Sequence, residues 1–104
     1  MTPVLAATKL RNQLRRIDPF LVVELKNVRV NRALFGCSGF VTDGTNWVYV
    51  NTDHNHGTNT RALYRTATGP KDYTGGRNRY ADYGSIAEAV VDLLQLLQVN
   101  PKEA

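Results

Sequence analysis

The chain has 104 residues and a mass of 11.6 kDa, with 42% hydrophobic and 21% charged residues. That makes it one domain spanning 1–104 with a single modest core, and it excludes a disordered tail, a fibrous repeat and a disulfide miniprotein. Thirteen basic against nine acidic residues give a net charge of +4 and a pI near 9.5, a mild excess that suits acidic partners without demanding one.

Thr2-Pro3 supplies a hydroxyl cap followed by proline at the first helical position. The spacing then predicts a helix with Ala7, Leu10, Leu14 and Ile17 on its inner face and Lys9, Arg11, Arg15 and Arg16 spread over the other side. Asp18-Pro19 ends it. From Phe20 the apolar pattern has period two through Leu21, Val23 and Leu25, then continues at Val28 and Val30. That change of phase near Asn27 predicts a β-bulge or short break that keeps both apolar sets on the core side. A second strand, Leu34 to Thr42, runs into the turn signal Asp43-Gly44, and Trp47-Val48-Tyr49-Val50 is its return arm. Cys37, within Gly36-Cys37-Ser38-Gly39, reads as a buried strand thiol, because no base neighbours it in sequence.

Thr52 to Asn59 is a polar loop by composition, and Arg61 to Ala67 reads as a further strand. Thr68 to Gly84 holds four glycines and one proline without a hydrophobic period, which predicts a long functional or mobile loop. Ser85-Ile86-Ala87-Glu88 matches a capping box and opens a helix whose inner stripe is Ile86, Ala89, Val90, Leu93, Leu94 and Leu97. Asn100-Pro101 stops it, leaving a short polar tail, 100–104. Val91, Leu94 and Leu96 widen the stripe past what one sheet face needs, so a homodimer through them and packing against the first helix are both open. The expected fold is α+β in two layers: an N-terminal helix, an antiparallel sheet of about four strands, and a C-terminal helix packed on one sheet face.

The lone cysteine closes no internal disulfide, no apolar run reaches the ~20 residues of a membrane span, and the N-terminus lacks a charged region before an apolar one. The expectation is a cytoplasmic protein without membrane attachment. Asp53-His54-Asn55-His56 places three potential ligands in four residues, but a structural zinc site takes four well-placed N or S ligands. Polar turn residues are the expectation there, with no metal and no cofactor. Among the carboxylates, Asp53, Asp72 and Asp82 remain once turn and cap positions are set aside, and no spacing sets an acid against a base. A small hydrolase or nuclease using loop His and Asp residues is therefore the third reading, behind two non-enzymatic ones.

Those two readings share one segment. Gly69 to Gly84 interleaves Lys71, Arg77 and Arg79 with Tyr73, Tyr80 and Tyr83, the mixture of phosphate contacts and flat stacking surfaces that single-stranded nucleic acid requires. The same residues are typical anchors of protein interfaces. A structural alternative folds the tyrosines back over the sheet and pairs the arginines with Asp72 and Asp82. The helix bearing Lys9, Arg11, Arg15 and Arg16 is a second cationic surface, and the positive excess lies in its half of the chain: residues 1–50 carry seven basic and three acidic groups, residues 85–104 one and three. Nine of the thirteen cations are arginine, which codon bias explains as well as phosphate recognition does. In topology alone the helix-strands-helix order is similar to the double-stranded RNA-binding module, but Ser85-Ile86-Ala87-Glu88 stands where that module has lysines. The first expectation is a nucleic-acid-binding domain, RNA or DNA, and the alternative a protein-interaction module acting as adaptor or inhibitor.

Overall fold

Alternation along the strands sorts the sheet residues onto two faces, and its apolar half decides where the helices lie. The computed structural model describes residues 6–29, 35–52, 61–73 and 75–101. They form α1 (Ala6–Ile17), β1 (Val22–Arg29), β2 (Phe35–Thr42), β3 (Trp47–Asn51), β4 (Arg61–Ala67), β5 (Arg79–Asp82) and α2 (Ile86–Val99). The strands make one antiparallel sheet in the order β1-β2-β3-β4-β5. In register, Val23 faces Val41, Val41 faces Val48, and Val50 faces Tyr64, so these side chains share one side of the sheet. On that side α1 packs over β1 and β2, α2 over β3 and β5, and the helices touch each other. The core joins Leu10 and Leu14 of α1 to Val41, Val48, Val50 and Ala62 of the strands and to Val90, Leu93, Leu94 and Leu97 of α2. This is the expected two-layer α+β arrangement with one more strand.

The extra strand lies inside the stretch expected to be loop throughout. Arg79–Asp82 has no apolar period, yet β4 offers it an unpaired ladder edge, and Leu63 pairs with Tyr80 and Ala62 with Ala81. Backbone hydrogen bonding, rather than side-chain pattern, makes this strand.

No bulge forms in β1: its register with β2 is unbroken from Val22 to Arg29. Asn27 continues the helix-side phase of Val23 and Leu25, and its Oδ1 accepts the N–H of Ala7 at 2.8 Å. An amide in the first turn of α1 has no intrahelical partner, so a polar side chain at this register is a cap rather than a break. Val28 consequently falls on the opposite face. Ile17 is exposed rather than inward, and Leu21 is buried in the core.

The β2–β3 turn is built by its own side chains. Asp43 Oδ1 accepts the N–H groups of Thr45 and Asn46 at 2.9 and 2.8 Å, while Thr42 Oγ1 accepts from Gly44 and donates to the Asn46 carbonyl. Gly44 takes φ +98°, a value that glycine adopts without steric cost. Burial pushes the Asp43 carboxyl up, but hydrogen bonds from Asn46, Gln98 and Thr45 outweigh it, and its pKa falls below the ordinary carboxylate value.

At the other end of β2, Cys37 is fully buried, and its N–H donates to Thr52 Oγ1 at 2.7 Å, extending the β2–β3 pairing inside the core. α2 begins and ends where expected, but its capping box does not form. The Ser85 hydroxyl turns back to the Asp82 carbonyl at 3.4 Å and makes no cap bond.

Candidate nucleic-acid interface

Among the described residues no helix covers the second face of the sheet. The other half of each alternation projects there, including Glu24, Lys26 and Val28 from β1, Ser38 and Phe40 from β2, Trp47 and Tyr49 from β3, Arg61, Leu63 and Arg65 from β4, and Tyr80 with Asp82, which stands opposite Arg61, from β5. Phe40 sits 6.4 Å from Trp47 and 5.5 Å from Tyr49 between ring centres. Tyr73 closes over this group, 5.4 Å from Phe40 and 5.7 Å from Tyr49. Such offset and edge contacts add to the area the rings bury, and they leave Phe40 and Tyr49 buried.

Arg65 fixes the loop to this aromatic group. Its guanidinium carbon lies 4.9 Å from the Tyr49 ring centre, one terminal nitrogen donates to Asn78 Oδ1 at 2.9 Å, and the other donates to the Tyr73 carbonyl. Asp72 staples the same loop from within: Oδ2 accepts the N–H and hydroxyl of Thr68, and Oδ1 accepts the N–H of Gly75. The chain between β4 and β5 is thus tied down at both ends by charged side chains, and Asp72 is occupied in holding it.

Two tyrosines on this face remain accessible. Tyr73 is 53% exposed at the rim of the aromatic group, and Tyr80 is 46% exposed with the Arg61 guanidinium 4.8 Å from its ring centre. Lys26 and Lys71 line a groove beside Tyr73 and Phe40. Flat surfaces and cations therefore share one side of the sheet.

The residues singled out from the sequence divide between the two sides. Lys71, Tyr73 and Tyr80 belong to the uncovered face. Arg77 is exposed in the loop that precedes β5. Arg79 does not join it: opposite Tyr64 in register, it turns to the helix side and lines a cleft with Asp92 and Leu96 of α2. Tyr83 is half-buried against the core with the Lys9 ammonium 5.6 Å from its ring centre, and burial, then the neighbouring Cys37, raises its phenol pKa above the ordinary value. Lys9, Arg11, Arg15 and Arg16 are exposed on α1, in the layer behind the sheet. The two cationic elements are not one continuous surface.

Of the residues considered for a dimer, Val91 and Leu94 are buried within the monomer, and Leu96 alone is exposed, at 39%. Asp53, His54 and His56 lie outside the described residues. Lys26, Arg61, Arg65, Phe40, Trp47 and Tyr49 were not expected at a site. Their signal was present as a period-two phase opposite to that of Val41, Val48 and Val50. Compared with known proteins, the chain matches no family model, no curated protein and no solved structure, and no helix of the described residues is long and apolar enough to cross a membrane.

Proposed function

We propose that this protein is a small non-enzymatic binding domain that takes single-stranded nucleic acid on the uncovered face of its sheet. One observation carries the reading: Tyr73 and Tyr80, each about half exposed, stand on one face with Lys26, Lys71 and Arg61 among and beside them. Stacked bases need exposed rings, phosphates need cations, and an antiparallel sheet spaces both along a strand. The basic side of α1 then serves at most as a remote electrostatic attractor. Cytoplasmic location goes with this proposal, since a lone buried thiol suits a reducing compartment.

The test is a titration with labelled single-stranded RNA and DNA of mixed sequence at two salt concentrations. Binding that weakens with salt, and that Tyr80→Ala weakens roughly tenfold or more through loss of one stacked base, supports the proposal. No binding of either strand removes it.

A second reading, a protein-interaction module, has its own observation. Phe20 is 89% exposed in the link between α1 and β1, with Ile17 and Val22 also exposed on either side of it, and large apolar side chains in such settings anchor protein partners. Capture of a defined protein that Phe20→Ser abolishes, without any salt-dependent nucleic-acid binding, would put this reading first.

A further inference from the structure

The turn Gly69-Pro70-Lys71-Asp72 is closed by the Asp72 N–H donating to the Gly69 carbonyl at 3.4 Å, with Lys71 at φ +71°. Proline followed by a positive φ is the pattern of a type II turn, whose third position normally takes glycine or asparagine. Lysine there carries backbone strain, and a strained residue beside a cleft points to a use for its side chain. Lys71 borders a groove of about 350 Å³ between the turn and strands β1 and β2, shared with Lys26, Glu24, Ser38, Phe40 and Tyr73. Ligand clefts start at about 300 Å³, so this one holds a unit the size of a single nucleotide rather than a longer segment.

The charges select further. Two ammonium groups and one carboxylate leave the groove with one net positive charge, which matches the single negative charge of a phosphodiester and disfavours a polyphosphate. The rings of Phe40 and Tyr73, 5.4 Å apart between centres, supply the apolar wall that a base would cover. We infer that this groove seats one nucleotide of the bound strand, its base against Tyr73 and its phosphodiester held by Lys26 and Lys71. The inference rests on the nucleic-acid reading above and names its subsite.

Lys71→Gly tests it cleanly, because glycine is what the backbone prefers at φ +71° and the ammonium is the only functional loss. Anisotropy titrations would use a fluorescent oligothymidylate and an oligouridylate across a salt series, with thymidine 5′-monophosphate as a competitor. The expected result is a variant whose melting temperature is equal to or above the parent's and whose salt slope is shallower by ~0.7. That corresponds to roughly fivefold weaker binding at ~0.1 M salt. Lys26→Gln, on exposed β1, should lose the same increment independently, so the inference stays testable should the turn variant lose stability. Parent binding with both variants unchanged overturns the subsite while leaving the proposed function intact. No binding by the parent overturns both, and a monophosphate that competes as well as the strand overturns the assignment to a strand.

Discussion

Gln98, in the last turn of α2, donates from Nε2 to Asp43 Oδ2 at 2.7 Å, joining the C-terminal helix to the β2–β3 turn across 55 positions of sequence. The same carboxylate organises the turn through its other oxygen. Asp43→Ala should therefore loosen the turn and detach the helix end together, costing about 1 kcal/mol, read as a fall of roughly 4–8 °C in melting temperature for a domain of this size. The pH dependence follows from the sign of its shift. Because the folded pKa lies below the unfolded one, the contribution is complete above the ordinary carboxylate value near 3.9 and disappears as pH falls through the lower folded value. Asp43→Asn should flatten this acid limb in urea melts at pH 2 to 5, approximately the range where carboxylates titrate.

Asn27 holds an amide of the first described turn of α1 from a neighbouring strand. Asn27→Ala should cost about 1 kcal/mol, the usual loss for a helix cap. Asn27→Asp, which keeps the acceptor, should retain most of the stability. Chemical denaturation of the two variants beside the parent measures this, and equal losses in both would show that the acceptor is not what matters.

β1 and β2 approach so closely at Gly39 that a Cβ there would lie 2.0 Å from the Glu24 carbonyl oxygen. The obstacle is backbone, so it cannot swing aside as a side-chain end would. Gly39→Ala should destabilise by about 3 kcal/mol, the upper part of the usual range for overpacking, with hydrogen exchange rising first along β1.

The two cationic elements lie in different layers, and their roles separate by mutation. Arg11→Gln combined with Arg15→Gln should leave the melting temperature nearly unchanged, as exposed charges do, and lower nucleic-acid affinity only through the weakened field. Arg61→Ala on the uncovered face should give the larger loss. The reverse ranking in the same anisotropy titration would move the interface to α1.

Leu94 is core and Leu96 is surface, two residues apart on the same helix. Leu94→Ala should cost about 3 kcal/mol through loss of buried volume, whereas Leu96→Lys should be nearly neutral. Sedimentation of the parent at ~100 µM should show a monomer, a concentration at which an obligate apolar interface would be saturated.

The sequence pattern disclosed both helices and four strands, because Leu10 and Leu14, Val48 and Val50, and the Val90 to Leu97 stripe repeat at the periods that burial on one side requires. β5 was hidden because Arg79, Tyr80, Ala81 and Asp82 join the sheet through backbone groups that every residue carries. Asn27 was misread because a polar residue in an apolar phase looks like a slip until the amide it serves is placed above it. At the candidate site, Tyr73 and Tyr80 are identifiable by composition, whereas Phe40, Trp47 and Tyr49 stand out in the sequence only as members of strands. Which face a strand's second phase meets depends on how many layers the fold has, and alternation alone does not state that.

The strand order β1-β2-β3-β4-β5 also has a kinetic consequence. Every ladder joins chain neighbours, so the sheet closes through successive local steps, each with a small loop-closure cost. Among the described elements, the meeting of α1 with α2 joins the first element to the last, and it needs a sheet beneath it to bring the two together. Refolding should therefore show sheet protection in pulsed hydrogen exchange before the helix pair is locked, and variants at the helix-helix seam should speed unfolding more than they slow folding.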